Sequence, residues 1–234
     1  MKKQTMARPQ RSFAQGLNFY KLFWVFFIGC FIGVILEVLT CMVTLHKIES
    51  RNGLIYGPFN PVYGFGAVVM TAALYRISQK HPAWIFLVSM LLGAAVEYFC
   101  SWIQERMFGT VSWQYDNTPL NINGRTNLKL SLCWGILGLV WIRGIYPLLS
   151  KGIERIPNKI GIPLTWLLTL FMIFNMIISA MAVARQTERR HGIPAQNAVA
   201  TFLDAHYPDE YLKKVYPNMV FVDSPDSTEG QGIT

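Results

Sequence analysis

Two glutamates stand inside runs that offer a carboxylate almost no polar company. Glu37 lies in Phe31-Ile-Gly-Val-Ile-Leu-Glu-Val-Leu, and Glu97 in Leu91-Leu-Gly-Ala-Ala-Val-Glu-Tyr-Phe. On insertion scales an ionisable side chain at the centre of a bilayer costs about 2.5–3.5 kcal/mol, and more if it is isolated in lipid. Each carboxylate is therefore expected to face protein or water. Helical spacing places Glu37 with Thr40, Cys41 and Thr44 on one face, and Glu97 with Ser101, Gln104 and Glu105 on another. Two chemistries fit such stripes. One is a polar cavity that binds a substrate or relays a proton. The other is a set of hydrogen bonds across a helical bundle that ties loops to helices.

The neighbouring polar residues extend the candidate site. Asn60 and Tyr63 stand at the entry to one apolar run, while Trp113, Tyr115, Asn123 and Arg125 belong to the segment after Glu97. Together with Glu37 and Glu97 these form the expected substrate-binding set. Arg125 is the candidate counter-charge, because a guanidinium over two carboxylates offsets their burial and presents a fixed fork to a polar ligand. The other charged and polar groups have simpler readings. Arg143, near the end of an apolar run, can snorkel to the interface, and Asn175 suits an interhelical hydrogen bond. His46, His81, His191 and His206 are scattered, with no metal-site spacing, and no metal or cofactor is expected. The chain has no G-x-S-x-G, no H-E-x-x-H and no G-x-x-x-x-G-K-[ST], so no hydrolytic or nucleotide motif is marked.

The elements that must position these groups are membrane helices. Of 234 residues 52% are hydrophobic and only 15% charged, which is too apolar for an ordinary soluble domain. Apolar blocks approach or reach the roughly 20 residues that a crossing helix needs. They predict an all-α membrane fold of about five spans at 20–45, 62–77, 83–102, 128–149 and 162–184. A basic segment, 1–19, precedes them and a soluble, partly disordered tail, 185–234, follows. The second span is the shortest and contains Gly64 and Gly66. The first is too long for a cleaved signal, whose apolar region runs about 7–15 residues.

Positive charge sets the orientation, because cytoplasmic segments collect Lys and Arg. Lys2, Lys3, Arg8, Arg11 and Lys21 precede the first span, Arg76 and Lys80 lie in the second turn, and Lys151, Arg155 and Lys159 in the fourth. The loops after the first and third spans carry Lys47 and Arg51, then Arg106, Arg125 and Lys129. This predicts a multi-pass protein of the cell membrane with a cytoplasmic N-terminus. Five spans would put the tail outside, whereas Arg185, Arg189 and Arg190 after the last span argue for the inside. Residues 1–184 hold sixteen bases against six acids, and the tail five against seven. Bases flanking spans meet anionic lipid headgroups, so nucleic acid is not expected as a partner. In the tail, Pro208 begins a short predicted helix with Asp209 and Glu210 at its start and Lys213 and Lys214 at its end.

A shift of sixty residues lays the third span over the first. Gly29, Gly33, Glu37 and Cys41 stand over Ser89, Gly93, Glu97 and Ser101. Small residues at four-residue spacing let helices approach closely. The material that follows also corresponds: Asn60-Pro-Val-Tyr-Gly-Phe-Gly leads into the second span, and Asn123-Gly-Arg leads to Ser131-Leu-Cys-Trp-Gly-Ile-Leu-Gly in the fourth. The expected arrangement is two parallel helical-hairpin repeats plus a fifth helix.

Read together, Gly33 and Glu37, Gly53-Leu-Ile-Tyr-Gly-Pro, Pro61-Val-Tyr-Gly-Phe-Gly, Glu97, Trp113-x-Tyr115, Asn123-Gly-Arg125, and Ser131 with Gly135 resemble the CmpB-like family of type IV ABC-transporter membrane proteins. The resemblance covers about residues 27–147. Arg51-Asn52-Gly53 reverses the family's usual Asn-Arg order, and Gln114 replaces the usual Asp between Trp113 and Tyr115. The family name implies transport with a separate ATPase subunit. Yet the turn around Arg76–His81 is very short for a coupling segment, and only Lys151–Gly161 has the length. The expected function is a small-solute permease or permease subunit, not an enzyme, in contact with the lipid bilayer and able to homo-oligomerise. A membrane-embedded enzyme acting on lipid-linked or envelope substrates and a non-catalytic assembly or sensor protein are the alternatives.

Overall fold

Side-chain caps and prolines set where the helices begin. In the computed structural model, which describes residues 11–222, Asn18 accepts from the Lys21 amide and starts α1 (Phe19–Leu45), a run of almost uninterrupted apolar residues up to Glu37. The basic residues Lys2, Lys3 and Arg8, and the disorder expected after Val222, lie outside the described residues. After a loop over 46–60, Asn60 caps α2 (Pro61–Leu74), with Pro61 supplying a preset first turn. His81 and Pro82 do the same for α3 (Pro82–Phe108), which stops at Gly109 in the left-handed conformation.

The segment after α3 forms short strands. β1 (Thr110–Val111) is followed by β2 (Asn121–Ile122), which pairs antiparallel with β3 (Thr126–Asn127) around the tight turn at Asn123 and Gly124. Asn127 then caps α4 (Leu128–Val140) by accepting from the Leu130 amide. The helix widens to a π-type turn over Trp141–Ile145, where the Tyr146 amide reaches back to the Trp141 carbonyl, and it resumes as α5 (Tyr146–Glu154). Pro147, with no N–H to donate, gives the local reason. The longest helix, α6 (Asn158–Arg190), is followed by α7 (Ala198–His206), α8 (Asp209–Val215) and β4 (Val220–Phe221).

Four helical stretches, 19–44, 82–108, 128–154 and 158–190, are long and apolar enough to cross a membrane, and 61–77 is a shorter apolar helix. The architecture is thus all-α with about five membrane helices, as the apolar blocks predict. Large apolar side chains point outward along them, including Phe65, Leu91, Phe99, Leu167 and Leu170, which suits contact with lipid. Inside, Val25, Met70, Leu74, Ile85, Trp141 and Ile142 form one buried cluster, and Phe23, Phe26, Cys30, Leu54 and Met172 another.

Successive turns alternate between two ends of the bundle. At the end holding the start of α1, Lys21 pairs with Glu154, the Phe13 amide donates to Asn158, and Arg143 donates to the Ser78 and Lys80 carbonyls. Arg143 thus fastens a turn as well as reaching polar surroundings. At the other end, the loop over 46–60 is held by α6. Asn175 donates to the Tyr56 carbonyl and accepts from its amide, and Ser179 accepts from Ile55. Asn175 therefore bonds a loop, not a second helix, because loop backbone groups left inside the bundle need partners.

The tail folds onto this same end. The short helix predicted at Pro208 is α8, with Asp209 and Glu210 in its first turn and Lys213 and Lys214 in its last. Leu203, Tyr207, Leu212, Val215 and Tyr216 pack on Ile55, Ile178, Ala182 and Val183, and β4 pairs antiparallel with β1. Arg185, buried at the end of α6, holds Asp204 through two bonds of 2.9 Å and Glu188 through one of 2.8 Å. Arg189 adds bonds to Asp204 and Asp209. Two of the arginines that by charge alone argue for a cytoplasmic tail are therefore met by carboxylates of the chain itself.

Two outcomes test this packing. A Cβ at Gly93 would overlap the base of the Trp134 side chain, and one at Gly33 that of Tyr63, whereas Gly152 meets nothing within 4 Å. Gly93→Ala should lower stability by about 1–3 kcal/mol in detergent unfolding, and Gly152→Ala should not. Arg185 first and Arg189 second hold the Asp204 carboxyl down at about 2, from 3.8. A depressed carboxyl stabilises above its unfolded value and loses that contribution as pH falls through its folded value. Hydrogen-exchange protection over residues 198–222, taken relative to the intrinsic amide rate at each pH, should hence be high at pH 5 and fall as pH drops from about 4 toward 2, and Asp204→Asn should reproduce the low protection at neutral pH.

Candidate functional site

Glu37 and Glu97 each occupy the helical turn next to a close crossing. Gly33 lies against Tyr63 of α2, and Gly93 against Trp134 of α4. With no side chain at either glycine, an aromatic ring enters the helix surface and its polar edge arrives beside the carboxylate one turn on. The Tyr63 hydroxyl lies beside Glu37, and the Trp134 indole beside Glu97.

Glu97 is 7% exposed and is met from several sides. The Thr126 hydroxyl donates to one oxygen at 2.8 Å and the Tyr115 hydroxyl to the other at 3.2 Å. Both donors come from the segment between α3 and α4, which must fold back over the bundle to reach it. Burial first, and the adjacent Glu97 second, push the Tyr115 hydroxyl up, so it stays protonated and acts as a donor. The Trp113 indole donates to the Arg125 carbonyl at 3.0 Å, and the Tyr115 amide to the Gly124 carbonyl at 2.7 Å. These bonds hold the strand pair above α3.

Arg125 does not sit over the two glutamates. Its guanidinium bonds Ser101 at 3.2 Å and pairs with Glu105, farther along α3. Two hydroxyl donors already meet Glu97, so the arginine is drawn to the next carboxylate on the stripe. The charge nearest Glu37 is Arg51, which donates to Cys41 at 3.2 Å and faces Glu49 at 3.5 Å. Both Arg51 and Arg125 keep a buried Nε with no partner among the described residues.

The two carboxylates share one electrostatic neighbourhood. Tyr63 feels Glu37, Glu97 and Tyr115, and Tyr115 feels both glutamates. The structure thus brings together Glu37, Glu97, Tyr63 and Tyr115, with Trp113 and Arg125 supporting the loop. The other two candidates stand apart: Asn60 caps α2 through the Val62 amide, and Asn123 is exposed and donates to the Tyr98 hydroxyl at 3.0 Å. Thr126 and Trp134 are additions that the spacing does not predict. Trp134 stands in a run whose correspondence with Tyr63 is loose, and Thr126 carries no signal apart from its position beside Arg125. Among the described residues, no group of His, Cys, Asp and Glu is placed to hold a metal ion.

A family model described as Putative ABC-transporter type IV matches residues 24–180, from the first turns of α1 into the last third of α6. The match includes both glutamates and every side chain just placed around them. It ends before the tail. No curated protein and no solved structure matches the chain.

If the donors around Glu97 hold the α3–α4 segment, removing one leaves a buried acceptor unmet. Thr126→Val and Tyr115→Phe should each lower unfolding free energy by about 1–3 kcal/mol in thermal or denaturant melts. Asn117→Ala, on the exposed turn of the same segment, should stay within about 0.5 kcal/mol of the parent.

Proposed function

The chain belongs to this type IV ABC-transporter family, a family of multi-pass membrane proteins, and from that premise we propose that it is a small-solute permease or permease subunit whose site is centred on Glu37. The observation that carries the reading is the unequal treatment of the two carboxylates. Glu97 is buried and receives hydroxyl donors from Thr126 and Tyr115, one on each oxygen, with the Trp134 indole beside it. Glu37 is half-buried and has the Tyr63 hydroxyl and the charge of Arg51, which leaves acceptor capacity for a ligand. A polar solute carrying a donor, with an anionic group for Arg51 or Arg125, has complementary partners within one neighbourhood.

An internal repeat gives this site a means of moving. The contact between Gly33 and Tyr63 has its counterpart in Gly93 and Trp134, sixty residues on in the first helix of each pair. Phe26 fills the space beside Gly64 as Phe86 fills that beside Gly135. Arg51 reaches Cys41 as Arg125 reaches Ser101. These correspondences support two hairpins, α1 with α2 and α3 with α4, of one design. Rocking one against the other would open the space between Glu37 and Glu97 toward either end. An ATPase partner would meet the opposite end, near the junction of α5 and α6. The tail's hold on both loops, through Ser50 with Val215 and β1 with β4, favours an assembly or sensor protein as the second reading.

A thermal-shift panel of amino acids, sugars, polyamines, nucleosides and inorganic ions separates the two. For a permease, one polar class should stabilise the protein, by about 2.7 kcal/mol at a hundredfold excess over Kd. Glu37→Gln should abolish that shift while remaining folded, and Glu97→Gln should weaken it. A shift that survives Glu37→Gln, or no stabilising solute at all, would count against the permease and for the assembly protein.

A further inference from the structure

We propose that the cavity at the bundle end that holds the start of α1 binds the headgroup of an anionic phospholipid. It has a volume of about 650 Å³ and lies between the turn after α2 and the π-type turn that joins α4 to α5. None of the residues placed around Glu37 and Glu97 line it.

The charge that faces this space is positive. Arg143 is anchored by neutral acceptors, donating from Nη2 to the Lys80 carbonyl at 2.6 Å and from Nε to the Ser78 carbonyl. Carbonyls orient the guanidinium without cancelling its charge. Lys151 is exposed on the wall and has no ion-pair partner among the described residues. The one carboxylate on the wall, Glu154, is already paired at 2.6 Å with Lys21, which is 0% exposed, and accepts from Ser150 as well. An anion entering here meets two cations and a carboxylate that has been neutralised from behind.

The remaining lining suits a headgroup at a membrane interface. The exposed Gln79 offers an amide donor for phosphate and glycerol oxygens, while the Ser78 and Ser150 hydroxyls already donate to the Tyr75 carbonyl and to Glu154. Tyr75 and Tyr146 meet edge to face, 6.2 Å apart, and present the amphipathic rings favoured at headgroup level. Leu148, in the first turn of α5 next to the lining residue Pro147, is 71% exposed and gives an acyl chain a surface. The walls also belong to helices long or apolar enough to lie in a bilayer. A lipid can therefore reach the cavity sideways with its chains still in hydrocarbon, and basic pockets between membrane helices are suited to such headgroups.

Native mass spectrometry of the delipidated protein tests the proposal, with phosphatidylglycerol and phosphatidylcholine added separately. Phosphatidylglycerol should be retained in preference. Lys151→Gln, an exposed change that leaves the fold intact, should reduce its occupancy by about fivefold, the effect of one interfacial charge, and Arg143→Gln by at least as much. Lys159→Gln removes a cation from the same end but outside the cavity, and should leave retention unchanged. Equal retention of the two lipids, indifference to Lys151→Gln, or an equal loss in Lys159→Gln would overturn it. Glycerol 1-phosphate binding as tightly as the lipid would assign the site to a soluble phosphate and overturn the lipid.

Discussion

A carboxylate inside a helical bundle must be given donors, and the packing around Glu97 follows from supplying them. Left bare among apolar side chains, the group would cost several kcal/mol. Thr126 and Tyr115 can reach it only if the whole segment between α3 and α4 turns back over the bundle. That return requires the left-handed turn at Asn123 and Gly124, the pairing of β2 with β3, and the bond from Trp113 to the Arg125 backbone. One buried oxygen pair thus helps to fix the loop over 109–127, together with the pairing of β1 with β4 and the bonds of Arg125 to Ser101 and Glu105.

The second constraint is distance between helices. Lipid offers no hydrophobic reward for bringing two membrane helices together, so close packing and polar contacts must do it. Gly33 and Gly93 each admit an aromatic side chain against bare backbone. The same approach carries the polar edge of that side chain to the glutamate in the next turn. Packing and polar satisfaction are here one event, and the two hairpins achieve it with different chemistry. Tyrosine offers a hydroxyl that both donates and accepts, whereas indole only donates.

Charge at the ends of the bundle follows compensation more than count. Arg185 and Arg189 are consumed by Asp204, Glu188 and Asp209, and this lets the tail settle on the loop end beside β1. Lys21 is likewise consumed by Glu154. A tally of Lys and Arg treats each as free to meet lipid, and it misleads wherever the chain provides the partner. Arg143 and Lys151 pair with no carboxylate among the described residues and retain their charge for something else.

Much of this fold can be read from the amino-acid sequence. Apolar runs of roughly twenty residues dictate membrane helices because backbone groups must be satisfied within lipid, and glutamates in those runs mark where the interior is polar. The shape of α8 and the family's motifs are local and readable in the same way. What only the tertiary structure decided depends on long-range choice. Arg125 pairs with Glu105 and not Glu97 because neutral donors already reach the latter, Asn175 bonds a loop backbone in place of a helix, and Thr126 and Trp134 join the site through the return of one loop and the closeness of one crossing. Spacing along a chain specifies which face a side chain occupies. It does not specify which of several competing donors arrives first at a buried acceptor, and that competition is what makes Glu97 different from Glu37.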